Sequence, residues 1–102
     1  MALFHVTENN FQKEVLESDQ PVLLDFWAEW CMPCRMMGQI LEETAKEHPE
    51  LKIGKVNVDE ERALAEQFRV MSIPTLVVME KGKVRSAVVG VRPKEQIVAM
   101  LK

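Results

Sequence analysis

Val22-Leu23-Leu24-Asp25-Phe26-Trp27-Ala28-Glu29-Trp30-Cys31-Met32-Pro33-Cys34 changes character midway. From Val22 to Trp27 every residue but Asp25 is apolar. Such a run reads as a strand covered on both faces. The second half leads into residues 31–48, where Met37, Ile40, Leu41 and Ala45 recur at helical spacing until Pro49 ends the pattern. A buried strand running straight into a long helix, with two cysteines at the junction, sets both the fold and the chemistry.

The flanks extend this unit. Upstream, Leu3 to Val6 reads as a short strand, and Thr7 as the N-cap of a helix over 8–18 with Phe11, Val15 and Leu16 on one face. Ser18 to Pro21 is a break. Downstream, Leu51 to Val58 alternates as a strand, and Asp59 is placed to cap a short helix carrying Ala63, Leu64 and Phe68. Residues 74–79 and 84–89 are two strands around the Lys81-Gly82 turn, hence an antiparallel hairpin. Gly90 breaks it, and Pro93 opens a last helix with Ile97, Val98 and Leu101 inward. Alternating strands and helices that end in a hairpin predict an α/β class: a mixed central sheet of about five strands flanked on both faces by about four helices.

The chain has 102 residues, which suits a single domain over 1–102. A hydrophobic content of 47% is too high for intrinsic disorder. Thirteen basic against 16 acidic residues give a net charge of −3, with no local basic cluster, which argues against a nucleic-acid footprint. No apolar run approaches the roughly 20 residues needed to span a bilayer. The N-terminal MALFHVTENNF has no basic region followed by a long apolar stretch, so neither a signal peptide nor a membrane partner is expected. The expected compartment is the cytoplasm, and the default assembly a monomer.

Two cysteines are too few for a disulfide-stapled secreted scaffold. Cys31 and Cys34 lie so close that a bridge between them closes a very short loop and stabilises little. Their position explains them better. A thiolate, not a thiol, attacks a disulfide. At the first turn of a helix the unpaired N–H groups and the dipole favour an anion, so the pKa of Cys31 should be depressed. Cys34, one turn on, is less exposed. Cys31 is therefore the candidate nucleophile and Cys34 the resolving cysteine. The competing reading is half a zinc site, but zinc needs four ligands, and His5 and His48 have no metal spacing. No metal is expected.

Asp25 stands inside the apolar strand. Burying a carboxylate is costly without a role, and burial raises its pKa. The bland alternative is an aspartate reaching solvent at a strand end.

Asp25-Phe26-Trp27-Ala28-Glu29-Trp30-Cys31-Met32-Pro33-Cys34, Lys55-Val56-Asn57-Val58-Asp59, Ser72-Ile73-Pro74-Thr75, Lys81-Gly82-Lys83 and Val89-Gly90 together resemble the thioredoxin family over essentially the whole chain. The resemblance implies a thioredoxin fold, a redox disulfide Cys31–Cys34, and a general protein-disulfide reductase that carries electrons by thiol–disulfide exchange. It implies no bound cofactor, electrons from NADPH through a thioredoxin reductase, and disulfide-containing proteins as substrates. Asp25 matches the family's buried aspartate, which moves the proton at the second cysteine. Lys55 matches a lysine near that aspartate and would tune it; an outward lysine on a half-exposed strand is the other reading. The Ile73–Pro74 bond is implied to be cis, against the usual trans state of X–Pro bonds. Trp30, Met32, Pro33, Ile73, Pro74, Gly90 and Val91 would form the shallow substrate groove, and Trp27 a packed support. Met37, Met79 and Met100 read as core filler.

Two positions depart from the family pattern. Met32 stands where the family usually has Gly, and is expected to lean over the groove, screen the sulfurs and shift the potential. Gly38-Gln39 replaces an Ala-Pro pair, which predicts a straighter helix. Pro33 before the second cysteine resembles the reductases. Two other functions compete with reduction: an isomerase or oxidase, which a measured potential separates, and a binding module with secondary redox activity.

Overall fold

A computed structural model describes residues 3–102. Strand β1 is Leu3–His5, β2 Val22–Trp27, β3 Lys52–Asn57, β4 Thr75–Glu80 and β5 Lys83–Val89. The α-helices are α1 Met32–Glu47, α2 Arg62–Gln67 and α3 Lys94–Met100. A further helical segment, Gln12–Leu16, brings the described helical segments to four. The strand order is β1-β3-β2-β4-β5. β1, β3 and β2 run parallel, whereas β4 is antiparallel to both β2 and β5, so the sheet is mixed, as expected. The element boundaries from β2 onward fall within a few residues of those read from periodicity.

Two cores sandwich the sheet because β2 is apolar on both faces. Val22, Leu24 and Phe26 point one way, with Phe11, Val15, Val56, Leu64 and Met79. Leu23 points the other way, with Met37, Leu41, Ile53, Leu76 and Ile97 beneath α1 and α3. Period-two alternation therefore directs Asp25 and Lys55 to the α1 face. Gly54, on the opposite face of β3, is required by close packing: a Cβ there would lie 2.5 Å from Val6 Cγ2. The hairpin turn has Lys81 at φ 53° and Gly82 at φ 78°. Two positive φ values suit the right-handed twist of the joined strands.

Two local expectations are corrected. The helix expected over 8–18 is narrower and wider-wound. Glu17 N–H reaches Gln12 O at 3.0 Å, a five-residue step, and only Gln12–Leu16 is π-helical. Phe11 and Val15 remain buried, so the apolar spacing was met by a different winding. Thr7 takes the first helical N–H bonds on its carbonyl, and the Asn10 side chain accepts Thr7 N–H at 2.8 Å. Asp59 does not cap α2. Glu61 occupies the N-cap position without a side-chain bond, and the Asp59 carboxylate turns elsewhere. Helix α1 continues through Gly38-Gln39 without interruption.

Candidate redox site

Cys31 is the N-cap of α1, one position before the helix proper. Its Sγ accepts the backbone N–H of Cys34 at 3.2 Å. That donor is one of the N–H groups a helix start leaves unpaired, and it is aimed at the sulfur that must carry negative charge. Cys31 and Cys34 form a disulfide, with their Cα atoms 5.2 Å apart. Both are buried, at 5% and 1% exposure, and pack with Ala28, Trp27, Val58 and Ile73. Pro33 lies exposed in the first turn, where its missing N–H costs nothing. The guanidinium of Arg35 donates to the Glu29 carbonyl at 3.2 and 3.3 Å and braces the loop before Cys31.

A second loop closes over the sulfurs. The Ile73–Pro74 peptide is cis. The Ile73 carbonyl oxygen lies 3.8 Å from Cys31 Sγ. Gly90, at φ 100°, donates its N–H to the Pro74 carbonyl at 2.8 Å and ties the end of β5 to this loop. Such a φ is strained for any residue with a Cβ. Val91 does not stand free beside it: it is half-buried and packs on the α1-side core.

On the α1 face of β2, Asp25 is wholly buried, with no hydrogen-bond partner for either carboxylate oxygen. Burial pushes its pKa from 3.8 up to about 7, and the Lys55 charge pulls it partly back. Lys55 is paired directly with Asp25 in the β2–β3 register. Its ammonium sits 4.4 Å from the centroid of the Trp27 ring, a cation–π contact, rather than outward in solvent. Cys34, Trp27, Gly38 and Lys55 share the wall of a cavity of about 440 Å³ on the α1 face. Of the groups proposed from sequence, Cys34 and Lys55 share this wall, Cys31 is bonded to Cys34, and Asp25 is the register partner of Lys55.

Trp30, Ile73 and Met71 instead line an apolar hollow of about 190 Å³ with Val58, Ala65 and Val70. Trp30 is 70% exposed, and its indole N–H donates to Asp59 at 2.9 Å. Met32 is also 70% exposed and stands outward at the start of α1. Sequence reasoning missed the Trp30–Asp59 bond and the contribution of α2 to this hollow. Their separation of 29 residues leaves no local signal.

A disulfide at a helix N-terminus, beside an apolar hollow and in a chain with a buried carboxylate under the same helix, defines a thiol–disulfide exchange protein. The family model for thioredoxin matches residues 2–102. A thioredoxin of Alicyclobacillus acidocaldarius subsp. acidocaldarius is 46% identical over 101 residues, 98% of this chain and 95% of that protein. The thioredoxin of Acidithiobacillus ferridurans is 43% identical over 98% of this chain and 94% of its own length. That of Haemophilus influenzae is 45% identical over 93% of this chain and 90% of its own. The chain belongs to the thioredoxin family, and Cys31–Cys34 is the redox-active disulfide of a protein-disulfide oxidoreductase. Among the described residues, no group of three or more His, Cys, Asp or Glu is arranged to hold a metal ion, and no helix is long and apolar enough to cross a membrane.

Proposed function

We propose that the chain is a general reductant of protein disulfides in the cytoplasm, acting as a monomer and recycled by a thioredoxin reductase that draws on NADPH. One observation carries the reading: the Cys34 N–H aimed at Cys31 Sγ, in a chain that buries Asp25 on the α1 face of β2. In the reduced chain that donor stabilises the Cys31 thiolate. The thiolate attacks a substrate disulfide, a mixed disulfide forms and one substrate thiolate leaves. Cys34 then attacks Cys31 Sγ. Its proton passes to the Asp25 carboxylate, directly or through a water, and the second substrate thiolate leaves as Cys31–Cys34 forms. With a pKa of about 7, Asp25 is poised to take and return that proton near neutral pH. Lys55 sets how readily it does so.

A substrate chain would lie across Trp30, Met32, Pro33, Ile73, Pro74, Gly90 and Val91, pairing with the Ile73 backbone as an added strand. The role asks for no bound cofactor, and for no nucleic acid or membrane as partner. The test is NADPH oxidation coupled to insulin reduction, with a bacterial thioredoxin reductase supplied. Cys31→Ser should abolish turnover, and Cys34→Ser should accumulate a mixed disulfide. Turnover that survives Cys31→Ser would overturn the mechanism.

A further inference from the structure

Five of the described methionines fall into two sharply separated groups. Met37 and Met79 are sealed in the cores, at 0% and 3% exposure. Met32, Met36 and Met71 are 70%, 59% and 95% exposed. Those three sit at the redox end of the molecule. Met32 directly follows Cys31 and opens α1, and Met36 stands one turn further on the same helix face. Met71 shares the apolar hollow with Trp30 and Ile73, whose carbonyl lies 3.8 Å from Cys31 Sγ. They form much of the exposed apolar surface around the disulfide.

We propose that Met32, Met36 and Met71 are an oxidation site through which peroxide switches off protein docking while leaving the disulfide chemistry intact. The thioether sulfur gives an electron pair to one peroxide oxygen. The O–O bond breaks, an S–O bond forms, and the other oxygen leaves as water. The sulfur is oxidised by two electrons and hydrogen peroxide is reduced by two. A flexible apolar side chain becomes a polar one, and the surface that received apolar substrate side chains is spoiled. While Cys31 and Cys34 are joined they offer no thiolate to the oxidant, so the thioethers are the exposed sulfurs. Met37 and Met79, shut in the cores, serve as internal controls. This rests on the reading that substrates dock on this face.

The experiment treats the disulfide form with hydrogen peroxide, removes the oxidant and maps sulfoxides by peptide mass spectrometry. The kcat/KM is then measured for insulin and for a small aromatic disulfide that has no chain to dock, with the reductase in such excess that recycling limits neither rate. Met71, Met32 and Met36 should gain oxygen before Met37 and Met79. Insulin kcat/KM should fall about tenfold, mainly through KM, equivalent to roughly 1.4 kcal/mol of lost contact. The small disulfide should react within about twofold of its untreated rate. A methionine sulfoxide reductase should restore the insulin rate. In Met32→Leu/Met36→Leu/Met71→Leu, the ratio of treated to untreated rates should stay near one.

Full oxidation of all three with unchanged insulin kinetics overturns the proposal. So does oxidation of Met37 as fast as Met71, or a loss that the reductase does not reverse. Untreated protein that reduces the small disulfide but not insulin would instead remove the docking reading itself, and the proposal with it.

Discussion

The two faces of β2 are built on the same six residues and held to opposite standards. On one face Val22, Leu24 and Phe26 pack into an apolar cluster, with Phe68 against it, whose ring centroid lies 5.3 Å from that of Phe26. On the other, Leu23 is followed by Asp25 and Trp27, whose buried polar atoms have no hydrogen-bond partner. An unpaired buried polar group is expensive. The expense falls on the face beneath α1, and among the described residues the opposite face contains nothing comparable. Both faces bury an apolar core, so both keep the chain folded; the α1 face also bears the cost of an unpaired buried carboxylate, the group proposed to take the proton from Cys34.

The sharpest break of this contrast is Phe26→Ala. Removing a fully buried ring from the sealed face should destabilise the chain by about 3–5 kcal/mol in urea or thermal unfolding. The redox potential of Cys31–Cys34 should hold. A shift in potential as large as the stability loss would show that the faces are not separable.

Asp25→Asn should act in the opposite sense. In the folded chain Asp25 keeps its proton up to about pH 7, whereas unfolded it ionises near 3.8. Between those values the folded state binds more protons, so its stability is greatest on the acid side and falls as pH rises through the window. About three pH units correspond to at most roughly 4 kcal/mol. At pH 8 the Asn variant should therefore be more stable by about 2–4 kcal/mol, and at pH 3.5 indistinguishable. Its insulin turnover should be slower, and the pH profile should lose its rise near 7. Equal stability at pH 8 would mean that the carboxylate is not paying the desolvation cost.

Gly54→Ala tests the sealed face by crowding it. The added methyl meets Val6 Cγ2 at 2.5 Å and Phe4 at 3.3 Å, between paired parallel strands that have little room to part. Overpacking of this kind costs about 1–3 kcal/mol. Thermal unfolding should show the loss, with the reactivity of Cys31 unchanged.

Much of this contrast is legible in the sequence, for a physical reason. A strand buried on both faces must be apolar, so Asp25 stands out, and the cysteines stand at a helix start because that is where an anion is stabilised. What is not legible depends on winding and on distant partners. Apolar residues spaced as Phe11 and Val15 fit either an α-helix or the π-turn found there. Asp59 looks like a cap from its neighbours alone, because nothing near it signals Trp30. Gly38 reads as a weak helix former. Only the fold shows that a Cβ there would sit 3.5 Å from Lys55 Nζ, in the wall of the cavity behind Cys34.

The smallest expected effect is the most discriminating. Asp59→Ala removes the acceptor of the Trp30 indole N–H. Inside the sealed face a lost partner would strand a donor and cost stability. Trp30 is 70% exposed, so its N–H turns to water instead, and the loss should stay below about 0.5 kcal/mol, or roughly 2–4 °C in Tm. What the bond supplies is orientation. It holds the ring at the edge of the hollow formed with Met71 and Ile73, so that the surface proposed to receive a substrate is set before contact. The insulin KM should therefore rise about two- to threefold with kcat held, while a small disulfide is reduced as before. If stability fell by several kcal/mol with KM unmoved, Trp30 would belong to the core, and the division between a face that folds and an end that docks would have to be redrawn.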